Sequence, residues 1–401
     1  MESIEATQNR AAESADHIPD HPEAIARYAE QRRSCPVARV ERHGGYWQLT
    51  RYTDVHNAAR DYGTYRSGQP FPEFPGFALS IPIASNPPDH TVYRKLLNPY
   101  FTAARVEALR PQIESFVNEH VTNLIEGGRG EAAAELARPL PQRVLAALMN
   151  MPDETWRTFV DKLHQLESVA HDPEAAAALV ATLWTDDVIA LVESRRAHPM
   201  DPEHDLMSGV LAARDESGEP FPPEIPIAIG VQLFAAGGDT TTQAITAALH
   251  EIAMNPKDQI RLRATPALIP DAVEEYLRFH PPLHQLARTL GSDVELHGQT
   301  MSEGELVALN WASANRDSEK FPEPDRCLID RSPNRHLTFG NGPHQCIGAP
   351  FARLEIQATL SQLLQRTAWI EPDGEPVRTH GEPLHSGFSR LPLRFPDRAP
   401  R

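Results

Sequence analysis

The sequence contains few cysteines and no long apolar run. Only three cysteines, Cys35, Cys327 and Cys346, occur in 401 residues, and none belongs to a CxxC pair. This odd number at wide spacing excludes a disulfide framework, makes a structural zinc site unfavourable and fits a reducing compartment. No stretch of 18 consecutive apolar residues is present, so no membrane-spanning helix is expected.

Basic residues are also in deficit. Lys plus Arg number 38 against 55 Asp plus Glu, which gives a net charge of −17. Such a chain repels a phosphate backbone, so nucleic acid is an unfavourable partner. The first residues show neither a basic start nor an apolar stretch, which predicts neither a signal peptide nor a membrane anchor. We expect a cytoplasmic protein, with residues 1–20 loosely ordered and residues 21–401 forming a single domain.

Helical patterns dominate what is present. Nearly every segment from Asp89 to about Gly218 has helical periodicity, with Pro, Gly and Asp between segments. Residues 222–256 form one apolar pattern between prolines, which at about 1.5 Å per residue extends more than about 40 Å. Further helices are predicted at Ile269–Phe279 and from Ala349, with short strands around residues 293–310. The sequence therefore predicts a mainly α fold with a minor β region.

One of the cysteines lies in an unusual loop. The stretch FGNGPHQCIG, residues 339–348, places Cys346 directly before a predicted helix. Gly340 and Gly342 permit positive φ or close approach of the backbone. Free N–H groups and the positive end of the helix dipole favour a thiolate over a thiol. A thiolate in such a place is either a nucleophile or a metal ligand.

Other interpretations of this loop fit less well. A phosphate loop requires G-K-[ST], which is absent, and a dinucleotide fingerprint fails because Gln345 stands three residues after Gly342. No motif elsewhere indicates the base that a cysteine hydrolase needs. An inert buried cysteine leaves the coincidence of four spaced residue types, Phe, Gly, His and Cys, unexplained.

The pattern F-x-x-G-x-H-x-C-x-G resembles the haem-binding loop of the cytochrome P450 family. The resemblance implies haem b as cofactor with Cys346 as its axial thiolate, which favours O–O cleavage. Phe339 would cover the thiolate side, and His344 would reach a haem propionate. The loop glycines would bring backbone close to the flat macrocycle and aim N–H donors at sulfur. The matching residues are Phe339, Gly342, His344, Cys346 and Gly348, with Gly340 between them.

The middle of the long predicted helix supports the same resemblance. AGGDTT, residues 236–241, is similar to the family's A/G-G-x-D/E-T-T motif. Two glycines inside a helix cost about 1 kcal/mol each relative to alanine, which indicates a spatial requirement such as a flat ligand crossing at Ala236 and Gly237. Asp239 and Thr240 are an acid and an alcohol suited to delivering protons to bound dioxygen.

Three basic residues outside the loop resemble the family's haem-propionate ligands. His90 and Arg94 stand one helical turn apart, on one face of a predicted helix. They are similar to the propionate pair of bacterial members. Arg288 matches the arginine that meets the other propionate, although a plain surface salt bridge is its alternative explanation.

A structural charge cluster is predicted as well. Glu275 and Arg278 lie three residues apart on one helix and can pair. Together with FPEPDR, residues 321–326, they resemble the family's Glu–Arg–Arg core. The resemblance assigns Arg326 as the third member, and the role of the cluster would be to hold the scaffold of the haem loop.

The resemblance covers about residues 45–395. It implies a single-domain triangular-prism fold and a soluble bacterial-type monooxygenase that takes electrons from a separate ferredoxin and an NAD(P)H-dependent reductase. Two alternatives stay open. A peroxygenase would use hydrogen peroxide, but it would not need the acid and alcohol at Asp239 and Thr240. A non-catalytic haem-binding or small-ligand-binding protein has no sequence feature in its favour.

The ferredoxin is predicted to dock near the loop. Residues 331–353 contain no acid although the chain carries a net charge of −17. Arg331, Arg335 and Arg353 would therefore form a patch for an acidic ferredoxin, extended by Lys95. The simpler explanation is that these residues serve only haem and scaffold.

Aromatic residues predict a compact apolar substrate, such as a terpenoid or an aromatic, held by burial and shape. In the family, a segment corresponding to FPEFPGF, residues 71–77, lines the distal pocket. His284 and Gln285 are candidates to orient a polar group on the substrate, and the alternative is that the phenylalanines only anchor the loop. The predicted pocket residues are Phe71, Phe74, Phe77, Phe234, Leu283, His284, Gln285 and Phe388.

Overall fold

Helices form most of the architecture. The computed structural model describes residues 21–73, 80–169, 175, 179, 182–215, 217–380 and 385–397. The predictions for residues 1–20, Phe74 and Phe77 lie outside these ranges. The described helices are α1 (His21–Ser34), α2 (Tyr52–Ala58), α3 (Asp89–Leu97), α4 (Ala103–Ile125), α5 (Pro139–Leu148), α6 (Thr155–Ser168), α7 (Thr185–Ala197), α8 (Leu206–Ala212), α9 (Glu224–Met254), α10 (Pro256–Ala264), α11 (Ile269–Phe279), α12 (Trp311–Ala314) and α13 (Ala349–Arg366).

Helix α9 forms the centre of the main core. Its 31 residues extend about 46 Å. Prolines bound it, since Pro223 precedes its first residue and Pro256 opens the next helix. It packs against α5, α7, α11 and α13. Fully buried side chains such as Leu249 and Ile252 each contribute roughly 1.5–3 kcal/mol. The single long helix predicted from the sequence is confirmed.

The β structure is minor, as predicted. The main sheet has the strand order β1-β2-β8-β5-β3, in which β2 and β8 are parallel and the other neighbours antiparallel. A three-stranded sheet has the order β4-β12-β9, and two hairpins pair β6 with β7 and β10 with β11. The strands are β1 (Val37–Val40), β2 (Tyr46–Leu49), β3 (Tyr65–Arg66), β4 (Arg129–Glu131), β5 (Gln285–Leu290), β6 (Val294–Leu296), β7 (Gln299–Met301), β8 (Leu306–Asn310), β9 (Glu371–Pro372), β10 (Val377–Arg378), β11 (Phe388–Arg390) and β12 (Pro392–Arg394).

Three elements bring the predicted site residues together. Helix α13 begins three residues after Cys346 and packs against α4, α11 and α9. Helix α11 therefore lies beside both the loop helix and the central helix. Helix α11 occupies the predicted bounds Ile269–Phe279, since Pro270 suits the first turn and the chain leaves the helix after Phe279. Among the described helices, none is both long and apolar enough to cross a membrane.

Candidate active site

The Cys346 loop takes the backbone shape that its glycines predict. Gly340 and Gly342 have φ of 69° and 74°, in the left-handed region. A Cβ at Gly342 would also lie 2.6 Å from the carbonyl oxygen of Ala59, because the loop packs against the end of α2. The N–H of Cys346 donates to the carbonyl of Phe339 at 2.8 Å and closes the loop.

The sulfur of Cys346 is surrounded by groups that favour a negative charge. Desolvation by the surrounding protein atoms raises the pKa of the thiol, while the backbone N–H groups of Gly348 and Ala349 and the guanidinium groups of Arg94 and Arg353 act in the opposite direction. The residue nevertheless keeps part of its surface open to solvent. Burial prevails in the protein alone, and a cation bound at the sulfur would reverse the balance. The predicted N–H donors are therefore present at the sulfur.

Four basic side chains form a second group near this loop. The rings of His90 and His344 lie 3.9 Å apart, and the guanidinium of Arg94 donates to the carbonyl of Gln345 at 2.9 Å. Ser67 Oγ lies 2.9 Å from His344 Nε2. The fourth member, Arg288 on β5, is buried with only 4% of its surface exposed. Among the described residues, no carboxylate forms an ion pair with any of these four.

The missing acid has electrostatic consequences. Burial lowers the pKa of Arg288 to about 10. Burial, together with the nearby arginines, lowers the pKa of His90 to about 4 and that of His344 to about 2. The buried Nε2 of His90 has no hydrogen-bond partner. Arg288 is thus a buried cation without a counter-charge, and the two histidines are held neutral beside it. An anion bound here would pair with the arginines and favour protonation of the histidines, so the cluster fits an anionic ligand such as the two propionates of a haem.

The middle of α9 borders open space. Ala236 is exposed and Asp239 has 46% of its side chain exposed, although core residues such as Leu233 and Ala244 lie on the same helix. Thr240 Oγ1 donates to the carbonyl of Ala236 at 2.7 Å. The predicted acid and alcohol are thus adjacent on the open side of α9, where a proton donor can reach a bound ligand.

The two glycines of AGGDTT serve helix packing. A Cβ at Gly237 would lie 2.9 Å from a methyl group of Leu145, and one at Gly238 would lie 2.0 Å from Gln142 Nε2. Both contacts are with α5. A side chain at either glycine would have to displace Leu145 or Gln142, so contact with α5 accounts for part of the glycine preference, and a flat ligand beside Ala236 and Gly237 stays a prediction.

The buried charge cluster has a different third member from the predicted one. Glu275 and Arg278 form two hydrogen bonds of 2.7 and 2.8 Å with no side-chain exposure. Arg331 Nε donates to both oxygens of Glu275 at 3.0 Å. The assignment of Arg326 was wrong: its side chain is 65% exposed and pairs with Glu323, and only its carbonyl accepts from Arg278.

A further ion pair joins α11 to α13. Arg353 donates to both oxygens of Glu274 at 2.6 and 2.8 Å, and His336 Nε2 lies 3.1 Å from the same carboxylate. Burial acts to raise the pKa of Glu274, but the hydrogen bonds from Arg353 and His336 outweigh it and lower the pKa to about 2. The guanidinium of Arg353 also lies 4.4 Å above the ring of Phe339. Helix α11 is thereby fixed against the Cys346 loop.

These pairings revise the predicted docking patch. Arg331 has only 6% side-chain exposure and is engaged with Glu275, so it is not available to a partner. Arg353 is 35% exposed and paired with Glu274. Arg335 and Lys95 are exposed as predicted.

Several predicted pocket residues are occupied by contacts within the protein. His284 is fully buried, with its two ring nitrogens 3.3 Å from Tyr28 Oη and 3.0 Å from Ser386 Oγ. Gln285 is bonded by its amide to Gln48 and Tyr46. Neither is free to orient a substrate, so that prediction was wrong.

The other described pocket candidates fall into two groups, residues of the core and residues that are partly exposed. Phe234 is buried against Phe159, with ring centroids 4.7 Å apart, and Phe388 stacks on His250 at 4.4 Å. Both rings therefore belong to the core. Leu283 and Phe71 are partly exposed, as residues that border a cavity should be.

Comparisons with known proteins agree with this geometry. The family model of cytochrome P450 matches residues 267–395. Cytochrome P450 CYP107DY1 of Priestia megaterium is 36% identical over 71% of this chain and 69% of its own length. Mycinamicin IV hydroxylase/epoxidase of Micromonospora griseorubida is 35% identical over 86% of this chain and 88% of its own. The structure of a P450 EryK mutant in complex with erythromycin B superimposes with a TM-score of 0.84, 28% identity, and coverage of 96% and 99%.

The chain belongs to the cytochrome P450 family, and it has that family's fold. It is accordingly an oxidoreductase, a haem-thiolate monooxygenase whose cofactor is haem with an axial cysteine thiolate. The described residues contain no cluster of three or more His, Cys, Asp or Glu that could hold a metal ion.

Proposed function

We propose that Cys346 is the axial ligand of the haem and that the basic cluster holds its propionates. The observation that carries this proposal is the cluster of four bases without an acid beside the Cys346 loop. Arg94 links the two parts, because its charge acts on both the thiol of Cys346 and the ring of His90. His90, Arg94, Arg288 and His344 would donate charge-assisted hydrogen bonds to the propionates.

Each remaining residue has a separate task. The haem, when bound, supplies the activation of dioxygen. Phe339 covers one side of the Cys346 loop under the guanidinium of Arg353. Asp239 and Thr240 move protons to the reacting oxygen from the open side of α9. Leu283 and Phe71 exclude water from the substrate.

Electrons come from a separate ferredoxin and its NAD(P)H-dependent reductase. The docking surface consists of exposed basic residues around the loop. Lys95 follows Arg94, whose guanidinium contacts Gln345, and Arg60 lies beside Gly342, with its Cα 3.0 Å from a Cβ built there. Arg60, Lys95, Arg335 and the half-exposed Arg353 therefore replace the earlier patch that included Arg331. An acidic partner would be attracted to this surface.

The substrate is an apolar organic molecule. With His284 and Gln285 sequestered, the described pocket positions leave Asp239 and Thr240 as the polar groups facing it. A compact terpenoid or aromatic suits such walls. The names of the relatives favour a second class, because one acts on mycinamicin IV and the other was solved with erythromycin B. A screen for ligands that shift the haem absorbance, with both classes included, separates the two.

The axial ligand is tested by Cys346→Ser. We expect this variant to lose the Soret band that marks a thiolate-ligated haem in the reduced carbon monoxide complex. Cys327→Ser is the matched control, because burial raises the pKa of Cys327 and keeps it an inert thiol. Survival of the band in the Cys346 variant would remove Cys346 from the site.

The electron source is tested by substrate oxidation with NADH, a surrogate ferredoxin and its reductase. We expect product that depends on all three. Product with hydrogen peroxide alone, at a rate that the ferredoxin system cannot match, would favour the peroxygenase instead.

A further inference from the structure

The turn at residues 385–388 is docked tightly on α9. The N–H of Phe388 donates to Thr246 Oγ1 at 3.0 Å. Gly387 lies so close to the helix that a Cβ there would be 2.2 Å from Gln243 Oε1. These contacts fix the turn one to two helical turns beyond Asp239.

The first residue of this turn is His385, which faces Asp239. Its Nδ1 lies 3.7 Å from Asp239 Oδ2, and the side chain is only 12% exposed. That nitrogen is buried and has no hydrogen-bond partner. An unpaired buried polar atom is unfavourable, and 3.7 Å is a gap that a small rotation or one bridging water closes. The isolated bridge between His385 and Leu283 holds the backbone from the other side.

The two oxygens of Asp239 have different neighbours. Oδ1 accepts from Gln243 Nε2 at 3.1 Å, and Gln243 Oε1 in turn accepts from Thr379 Oγ1 at 2.8 Å. An amide can orient the carboxylate but cannot give up a proton to it. Within the described ranges, His385 is the basic residue nearest the other oxygen, and an imidazole ring can both give and take a proton.

Exchangeable groups continue behind His385. Its neighbour Ser386 has Oγ 3.0 Å from His284 Nε2, and His284 Nδ1 lies 3.3 Å from Tyr28 Oη on α1. His385 and His284 also interact electrostatically. Ser386, His284 and Tyr28 thus form a chain of polar contacts that begins one residue after His385 and ends at the N-terminal helix.

We propose that His385 restores the proton of Asp239 during turnover. When Asp239 has given its proton toward Thr240 and the reacting oxygen, the N–H bond at Nδ1 of the His385 imidazolium breaks and an O–H bond forms at Asp239 Oδ2, which leaves His385 neutral with its remaining proton on Nε2. Nδ1 then takes a proton from water, which restores the imidazolium. No electrons change hands in this step. The inference rests on the proposed role of Asp239, and it makes His385 a positioning residue that acts through Asp239.

Two substitutions at one position test the proposal, with a matched control. His385→Gln keeps a hydrogen-bond donor and His385→Phe removes it. His250→Gln alters another buried histidine against the same turn, because His250 stacks on Phe388. We expect both His385 variants to lower NADH-driven turnover roughly tenfold, less than the hundredfold or more of a direct proton donor. Iodosylbenzene delivers an oxygen atom without proton transfer, so turnover with it should match the parent in all three variants.

A second readout does not depend on activity. In the diamagnetic reduced carbon monoxide complex with ¹⁵N-labelled histidine, we expect the ¹⁵N shifts to show a proton on His385 Nδ1. Asp239→Asn should change that signal, because the carboxylate partner is lost. A deprotonated Nδ1 in the parent would overturn the proposal, since no proton could pass from it.

The remaining outcomes distinguish the proposed role of Asp239 from the proposed role of His385. If Asp239→Asn turns over like the parent, the proposed role of Asp239 fails. If Asp239→Asn is slow but both His385 variants are normal, only the present inference fails. Normal turnover in His385→Gln with loss in His385→Phe would mean that the residue merely orients Asp239. Equal loss in His250→Gln would mean that packing of the turn is responsible.

Discussion

Two buried charge clusters in this protein differ in whether the protein itself supplies their hydrogen-bond and charge partners. In the first, the carboxylate of Glu275 is shared by Arg278 and Arg331 and receives further hydrogen bonds from the N–H of Leu328 and from Asn334. The remaining guanidinium donors of Arg278 go to backbone carbonyls at residues 315, 324 and 326. This cluster is complete within the protein, so its role is to hold the chain segments around the Cys346 loop.

The second cluster is incomplete. His90, Arg94, Arg288 and His344 have no acid among the described residues, and burial lowers the pKa of each. Such an arrangement is unfavourable alone and becomes favourable when an anion binds. The comparison teaches that a buried charge without a partner in the protein indicates a ligand-binding site, whereas a buried charge that is paired within the protein indicates a structural role.

The largest effect is expected at the complete cluster. Arg331→Ala removes one partner of a fully buried carboxylate, which costs about 3–5 kcal/mol in the free energy of unfolding. Arg326→Ala, the matched control, should change it by less than about 0.5 kcal/mol, because that side chain is exposed. Urea unfolding followed by circular dichroism measures both. Equal losses would contradict the reassignment to Arg331.

The incomplete cluster should respond through haem binding. Arg288→Met removes a charge-assisted hydrogen bond worth about 1.5–3 kcal/mol, so haem transfer to apomyoglobin should become roughly 10- to 150-fold faster. The far-ultraviolet circular dichroism spectrum should stay that of the parent, since within the described residues the side chain of Arg288 donates only to the carbonyl of its neighbour Ala287. Unchanged haem transfer would show that Arg288 does not contact the cofactor.

The ion pair that joins α11 to α13 predicts a loss of stability in acid. Because the pKa of Glu274 is held at about 2, below its unfolded value, its contribution is present above about pH 4.5 and is lost as the pH falls toward 2. The contribution is about 1–3 kcal/mol, reduced by the partial exposure of both partners.

Glu274→Gln should therefore be less stable than the parent at neutral pH, and the difference should shrink below about pH 4.5. Thermal unfolding across this pH range measures it. Glu107→Gln is the control, because Glu107 pairs with Arg110 at the surface. A constant difference between parent and Glu274→Gln at every pH would contradict the assignment.

The smallest effect is expected at the docking surface. Arg60→Glu and Arg335→Glu should each weaken the apparent affinity for an acidic ferredoxin by roughly two- to fivefold, the scale of an exposed charge pair, and less at high salt. Arg129→Glu is a matched control on the three-stranded sheet, with 74% of its side chain exposed. If all three variants behave alike, the surface around the loop is not the dock.

Local patterns predicted the elements well. The prolines at 223 and 256 bound α9, and Pro270 fits the start of α11. The positive φ of Gly340 and Gly342 follows from glycine placement. Pairings between distant segments were harder, because Arg326 and Arg331 both follow Glu275 by about 50 residues and nothing in their spacing shows which one turns inward.

Other site residues lacked any sequence signal. Ser67 holds the ring of His344 from 277 residues away, and His385 meets Asp239 across a turn that packs on α9. Residues 331–353 contain no acid, so the sequence did not indicate that Arg353 and Arg331 pair with Glu274 and Glu275 on α11. Such a signal appears only once the helices are placed side by side.

The sequence by itself determined which residues we propose to carry the chemistry: one cysteine before a helix, an acid and an alcohol in the middle of α9, and basic residues at fixed spacing. Those choices are local, because they depend on backbone freedom, helix ends and side-chain type. Tertiary structure decided which charges are buried, which are paired and which face open space. Burial and pairing bring together segments that can be hundreds of residues apart. The free energy of a buried charge depends on its distance to other charges and on its desolvation, and neither quantity follows from the order of residues in the sequence.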